Sequence, residues 1–351
     1  MTRVVIVGGG PAGSVAALVL AGRGIAVTVV ESRAAPERKV GECVPPSVTP
    51  LLRHLGCEDL MERTGHLRSL GNRFVWGSSR PGDRPFLTGA QGDGWHVDRA
   101  VLEADLAARA QAAGATWESG RRIVRCERAG DRWRVTCRDS RVLDADIVAD
   151  ATGRTAFVAR RLGATRVRYD RLVGACAFLY SATPDTDTYT LVEAVPEGWW
   201  YSAVLADGLL AVAFMTDGDL LDRRAWRSLL ERTDATWARV RHHSYTVTGA
   251  VRVAPADTSR LDTIAGEGWL ALGDAAAAYD PLSSYGVGSA MGSGFYGGNA
   301  IADLLAGRPE AREAYLTIMQ NAYCAFLDQQ LDHYARERRW PHAVFWARRR
   351  P

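Results

Sequence analysis

The segment that most constrains the fold lies near the start of the chain: the apolar run 4–7, then Gly8-Gly-Gly10-Pro11-Ala12-Gly13, a stretch of helical composition, and a second apolar run ending at Glu31. A short apolar run, a glycine turn, a helix and another apolar run make a β-α-β unit. Gly8 permits the tight turn, Gly10 lets a phosphate approach the backbone, and Gly13 lets the helix pack closely on the strand. A pyrophosphate at that helix start, beside Pro11 and Ala12, meets backbone N–H groups and the positive end of the helix dipole. Glu31 follows about 20 residues on, the spacing of a carboxylate that accepts from ribose hydroxyls, with Ser32 and Arg33 beside it. The expected fold class is α/β, built on a Rossmann-like dinucleotide-binding domain. This motif alone does not say which dinucleotide.

With 351 residues, the chain has room for two domains or for one domain with a large insertion. Its 47% hydrophobic and 24% charged residues are those of a globular protein. A net charge of +3 gives no reason to expect nucleic acid as a partner. Of the 43 Lys and Arg residues, Lys39 is the only lysine. No stretch reaches a membrane span and no signal-peptide core precedes the first strand, so a cytoplasmic protein is expected. The six cysteines show no CxxC pair and no metal-ligand spacing, so free thiols and no metal site are expected.

Further along, apolar spacing predicts a helix over 48–60, strands around 74–76 and 95–97, and a helix capped by Asp98. Strands follow at 116–119, 123–128, 133–138 and 145–149, then at 172–180, 188–194, 199–205 and 209–216, the last pair joined by the hairpin turn Ala206-Asp-Gly208. Two polar helices fit 222–242, one strand 246–253 and another 269–272, with helices from Gly286 and over 311–339. This order predicts a discontinuous cofactor domain (1–66, 98–170 and 255–310). An antiparallel sheet for substrate (67–97 and 171–254) is inserted into it, and a C-terminal helix (311–351) follows. The basic tail Arg348-Arg-Arg350 reads as a solvated terminus.

A second segment narrows the cofactor. Gly268-Trp-Leu-Ala-Leu-Gly273-Asp274, followed by Asp280-Pro281-Leu-Ser283-Ser-Tyr285-Gly286-Val287-Gly288, resembles the second FAD fingerprint of group A flavoprotein monooxygenases. The resemblance implies that Asp274 binds the ribityl chain and that the following helix start faces the flavin. Backbone N–H groups there suit the negative charge of reduced flavin. Val40-Gly41-Glu42-Cys43-Val-Pro-Pro46, Gly94-Trp-His-Val-Asp-Arg99, Asp150-Ala-Thr-Gly153-Arg154 and Gly198-Trp-Trp-Tyr-Ser202 extend the likeness over nearly the whole chain. Together they resemble the tryptophan-halogenase-like branch, most of all the flavoproteins that mature tryptophylquinone cofactors. That resemblance implies that Arg33, Arg99 and the 41–43 loop contact FAD. Cys43 stands where the family has serine.

Flavin halogenases use a lysine in the strand that here reads Arg68-Ser-Leu-Gly-Asn-Arg-Phe74, and arginine does not replace a neutral amine. Their Trp-x-Trp-x-Ile-Pro pattern is also missing, so halogenation is disfavoured. The expected chemistry is hydroxylation of an electron-rich aromatic or amino-acid-derived substrate through a flavin C4a-hydroperoxide, with molecular oxygen as co-substrate. No second GxGxxG follows, so NAD(P)H binds transiently or a separate flavin reductase delivers electrons. The alternatives are a dehydrogenase or reductase acting by hydride transfer, as in geranylgeranyl-reductase-like relatives, and a non-catalytic FAD-containing partner of a client protein. His96 is either an acid–base group or strand packing. Trp76, Trp199, Trp200 and Tyr201 are either an aromatic pocket or sheet core. Glu42, Ser283 and Tyr285 are site candidates through their neighbours in the flavin motifs.

Overall fold

The computed structural model describes residues 3–89 and 91–350. Val4–Val7 is the centre of a six-stranded sheet, parallel to Val27–Val30 on one side and to Ile147–Asp150 on the other. Thr116–Glu118 and Trp269–Ala271 extend it in parallel, and Ala265–Gly266 closes one edge antiparallel. Every residue of the three central strands is buried. A parallel sheet is covered on both faces, which is why these strands read as unbroken apolar runs.

Helices Pro11–Gly22 and Gly286–Leu305 form one cover, and they meet through glycine. A Cβ on Gly294 would lie 2.3 Å from the Ala12 carbonyl oxygen, and one on Gly13 would lie 2.0 Å from that of Gly8. An antiparallel meander, Ile123–Ala129, Arg132–Cys137 and Val142–Ala145, packs on the same sheet through Trp133, Val135 and Leu143. The expected strand 145–149 is thus two strands. Val142–Ala145 alternates exposed and buried, Ile147–Asp150 is buried throughout, and Asp146 turns between them.

The large sheet has the spatial order 172–180, 210–217, 198–204, 190–195, 71–75, 82–85, with Thr246–Val247 and Arg252–Pro255 both on the outer side of Leu172–Tyr180. Its pairings are antiparallel except one. Thr190–Val195 runs parallel to Gly71–Val75, because the latter arrives from far upstream and not through a hairpin. The expected strand 246–253 is broken in two around Gly249, whose φ is +101°. The stretch 67–97 divides between sheets. Gly71–Val75 and Gly82–Pro85 join the large sheet, whereas His66–Ser69 and Gly94–Val97 pair with each other and with Cys43–Val44. That small sheet shares a core of Val44, Leu52, Val97 and Leu102 with helices Thr49–His54 and Arg99–Ala112. Asp98 caps the latter, accepting from the N–H groups of Ala100 and Val101.

Helices Trp226–Glu231 and Ala235–His242 cover one face of the large sheet through Trp200, Phe214, Trp226 and Val240. Helix Glu310–Arg336 and the turn Val344–Ala347 cover part of the other through Trp199, Tyr334, Phe345 and Trp346. The basic tail is docked, not free, since Arg348 and Arg349 both pair with Asp217, which is 2% exposed. No helix among the described residues is long and apolar enough to cross a membrane.

The helix pair makes a direct test. Gly294→Ala is expected to destabilise by about 2 kcal/mol or more, as overpacking against backbone does. Gly292→Ala, whose Cβ would meet nothing within 4 Å, should be neutral or stabilise by about 0.5–1 kcal/mol. Equal urea midpoints for the two variants would contradict the close approach.

Candidate active site

A cleft of about 700 Å³ opens between the carboxyl ends of the parallel strands and the uncovered face of the large sheet, the usual place for a ligand in an open α/β sheet. Gly8 stands at φ +106°, and a Cβ there would lie 2.3 Å from the Ala151 carbonyl oxygen, so only glycine fits. Gly10 is ordinary extended backbone with nothing within 4 Å of a Cβ. The helix that begins at Pro11 has no side-chain cap, so its first N–H groups are left for an anion. Glu31 accepts from Gly9 N–H at 2.7 Å, Arg33 N–H at 2.8 Å and the Ser32 hydroxyl at 3.2 Å. An ionised carboxylate has about four acceptor sites, so it ties the loop and still receives a hydroxyl. Asp150 shapes the neighbouring turn, accepting from Thr152, Val158 and Ala159 N–H groups.

The second fingerprint is fixed from behind. Gly273 N–H donates to Ser293 Oγ at 2.9 Å, which lies 3.0 Å from the Tyr315 hydroxyl, itself a donor to the Ala271 carbonyl at 2.7 Å. Asp274 sits in the cleft wall with Arg154 Nε 3.8 Å away. Enclosure raises its carboxyl pKa, and Arg154, Arg99 and Arg166 oppose the rise. Asp280 caps Leu282 N–H, and Ser283 Oγ donates to the Asp280 carbonyl and accepts from Tyr285 N–H. Ser284 is left-handed at φ +54°, a strain of about 1–2 kcal/mol for a non-glycine residue. The helix starting at Gly286 then presents Gly286 and Val287 to the cleft.

A third wall is the loop 39–43 with Arg99. Glu103 receives both Lys39 Nζ and Arg99 at 2.7 Å, and Arg99 also donates to the Gly41 carbonyl at 3.3 Å. Burial lowers the Lys39 pKa, against the pull of Glu103. Glu42 is 2% exposed. Its Oε2 accepts from Gly41 N–H at 3.1 Å and from the Tyr201 hydroxyl at 3.4 Å, while Oε1 has no protein partner. Burial holds its carboxyl above the usual range. Arg99 Nε is likewise buried without a protein partner.

These features fit FAD. Gly10, the uncapped helix and Arg33 suit the pyrophosphate, Glu31 the ribose, Asp274 the ribityl chain, and the Gly286 helix start the flavin edge. Among the described residues, six cations line the cleft (Arg33, Lys39, Arg99, Arg121, Arg122 and Arg154) against the carboxyl groups of Glu31, Glu42 and Asp274.

Of the residues singled out in the sequence, Gly8, Gly10, Pro11, Ala12, Glu31, Ser32, Arg33, Gly41, Glu42, Cys43, Arg99, Gly153, Tyr201, Asp274, Pro281, Gly286 and Val287 line the cleft. Gly13, Gly273 and Gly288 stand behind it, where a Cβ would meet Gly8, Ala12 or Val48 within 2.7 Å. Others lie elsewhere. His96 is fully buried, and because the Val204 carbonyl can only accept, Nδ1 carries the proton and Nε2 accepts from Thr190 Oγ1 at 2.8 Å. Burial, with the charge of Arg239 adding to it, pushes its pKa down to about 4. His96 is a neutral tie between the small and large sheets, not an acid or base in the cleft.

Trp200 turns to the helix-covered face, stacked on Phe214 at 4.8 Å. Trp76 packs edge-on to Trp346 at 5.2 Å, and its indole N–H donates to the His333 carbonyl. Neither lines the cleft. Ser283 is spent within its own turn, and Tyr285 is 42% exposed against Tyr279 and Phe326.

The sequence singled out none of Lys39, Thr152, Arg154 and Ser284 as site residues, though Thr152 and Arg154 flank Gly153 and Ser284 follows Ser283. It also missed the sheet wall of Gly174, Cys176, Ala211, Ala213, Met215 and Ala256. Small residues at alternate positions 211 and 213, and 174 and 176, are the signal that something other than side chains fills that face.

Comparison with known proteins agrees with this geometry. Residues 1–318 match the FAD binding domain family. The chain is 28% identical to the FAD-dependent oxidoreductase LodB of Marinomonas mediterranea, over 98% of this chain and 96% of that one. It is 27% identical to a tryptophan 2-halogenase of Chondromyces crocatus, over 89% of this chain and 63% of that protein. In structure it is similar to the myxobacterial chondrochloren halogenase CndH, with a TM-score of 0.91 at 23% identity, over 100% of this chain and 86% of that one. It is also similar to the peptidyl tryptophan dihydroxylase QhpG, with a TM-score of 0.77 at 25% identity, over 99% of this chain and 78% of that one.

The open space at Gly10 gives a prediction. Gly10→Val should fold with an unchanged melting temperature in the flavin-free state, yet bind FAD at least about thirtyfold more weakly, roughly 2 kcal/mol. Yellow Gly10→Val protein with full flavin occupancy after gel filtration would contradict the assignment.

Proposed function

The chain belongs to the FAD binding domain family, and on that premise we propose that this FAD-dependent oxidoreductase is a monooxygenase that hydroxylates a neutral, electron-rich aromatic group. FAD, reduced by NAD(P)H or by a separate reductase, supplies with molecular oxygen the atom that is transferred. The chain binds, orients and excludes water.

The observation that carries the reading is the sheet wall. Cys176, Ala211, Ala213, Met215 and Ala256 make an apolar floor, and none of the six cleft-lining cations belongs to the large sheet. Such a floor takes a flat ring and keeps water out, but it offers no counter-charge to a free carboxylate. The substrate that fits is an aromatic ring without its own charge, carried by a peptide. The similarity to a peptidyl tryptophan dihydroxylase supports that class.

Beside the floor stands the pair Glu42 and Tyr201. A neutral Glu42 donates a hydrogen bond that an ionised one cannot, and Tyr201 together with Gly41 N–H fixes its other oxygen.

One observation favours a second reading, halide oxidation: Lys39, the single lysine, lines this cleft. Against it, Lys39 is held by Glu103 of helix Arg99–Ala112. The expected 68–74 strand is divided between two sheets, and in its part Gly71–Val75 Arg73 is paired with Asp83 and Asp187. Turnover of an aromatic peptide with bromide present and product mass recorded separates the two, a brominated product supporting the second.

Under labelled oxygen, the hydroxylated product should carry one or more labelled atoms, and a product without label would sink the monooxygenase reading. Because the Glu42 pKa is raised, its neutral form persists to higher pH, and kcat/KM should fall as pH rises through that value. Glu42→Gln, a permanently neutral donor, should stay within about tenfold of wild type at low pH and lose this limb, whereas Glu42→Ala should lose about 100-fold. A Glu42→Gln pH profile identical to wild type would remove Glu42 from the reaction.

A further inference from the structure

Helix Glu310–Arg336 contributes no residue to the cleft wall, yet its last two turns hold the loop that does. Asp280, 1% exposed, sits directly before Pro281, which lines the cleft with Ser284. Its Oδ2 accepts from the Tyr334 hydroxyl at 2.7 Å and from Gln330 Nε2 at 3.0 Å, and its Oδ1 accepts from Leu282 N–H at 2.8 Å. Tyr334, 3% exposed, in turn accepts from Trp199 Nε1–H at 3.1 Å. Trp199 lies two residues from Tyr201, on the same face of strand Gly198–Val204. One phenol oxygen therefore joins the loop of the parallel-sheet domain to the strand that carries the Glu42 partner.

We propose that Tyr334 is a positioning residue for the flavin: through Asp280 it sets the 280–286 loop, and through Trp199 it sets that loop against the substrate wall. The proposal rests on the reading that this loop faces the flavin. The aromatic packing of Tyr334 with Trp76, Phe345 and Trp346 needs only a ring. The hydroxyl is needed only for the Trp199–Tyr334–Asp280 chain. Ser284, left-handed at φ +54°, keeps that conformation only while its surroundings over-determine it. The anchor of its turn is Asp280, and a buried carboxylate robbed of a donor bears a desolvation cost that disfavours its present position.

Tyr334→Phe, which keeps the ring, is the test, read on the flavin-loaded protein without substrate or turnover. Its FAD dissociation constant should rise at least tenfold, about 1.4 kcal/mol, and the visible absorption bands of the bound oxidised flavin should shift. Trp346→Phe is the control. Its indole N–H donates to the Val195 carbonyl and makes no bond to Asp280, so it should lower the melting temperature while leaving flavin affinity and spectrum as in wild type. Wild-type affinity and spectrum in Tyr334→Phe would overturn the proposal, and so would equal flavin changes in Trp346→Phe. If Tyr334→Phe does not fold, Gln330→Leu removes the other donor to Asp280 Oδ2. It should weaken FAD binding in the same direction by about threefold, and an unchanged flavin there would also overturn the proposal. Failure here leaves the hydroxylation reading standing, and an unlabelled product leaves this one standing.

Discussion

Everything in this fold depends on how closely the chain passes itself at Ala12. A Cβ on Gly273 would lie 2.7 Å from Ala12 Cβ, and one on Gly294 would lie 2.3 Å from the Ala12 carbonyl oxygen. The glycine loop 8–13 and the segments at 273 and 294, distant in sequence, are thus brought into register by backbone meeting backbone. No rotamer change loosens such a contact, so the distance between these segments is set by the main chain alone.

The other wall is fixed differently, by polar ties spread around the cleft. His96 joins the small sheet to Val204 and Thr190 of the large one. Because the Thr190 proton goes to the imidazole, Thr190 Oγ1 is left as an acceptor 3.8 Å from Cys43 Sγ, so the thiol is held as a donor, and burial keeps it protonated. Arg154 reaches from the Gly153 turn to Asp257 at 3.0 Å and to the Tyr279 carbonyl. The His96 tie joins the two sheets, and each of these ties uses a buried or half-buried group, for which loss of a partner is expensive.

The cofactor half was legible in the sequence because its signals are local. Gly8 to Gly13, Glu31 and Gly273-Asp274 carry their meaning in glycine placement and short spacing, and the hairpins from 172 to 217 are marked by turn residues. What was not legible depends on partners far along the chain. His96 read as a possible acid or base because Val204 and Thr190 lie about a hundred residues away. Trp199 and Trp200 are indistinguishable in a strand buried on both faces, and only the helices at 226–242 decide which side each takes. The tail Arg348-Arg349 looks solvated until Asp217 is placed beneath it. The parallel pairing of 71–75 with 190–195 has no turn to announce it.

The near absence of lysine has a consequence for the outer surface. The one side-chain amine, Lys39, is drawn into the cleft and paired with Glu103, so the positive groups facing solvent are guanidinium, apart from histidine. Guanidinium stays protonated at any pH a protein survives, and acylating reagents that neutralise ammonium groups leave it charged. The exterior therefore carries a cationic pattern that alkaline titration and amine acylation do not erase, while acylation of the one side-chain amine, Lys39, reports on the cleft.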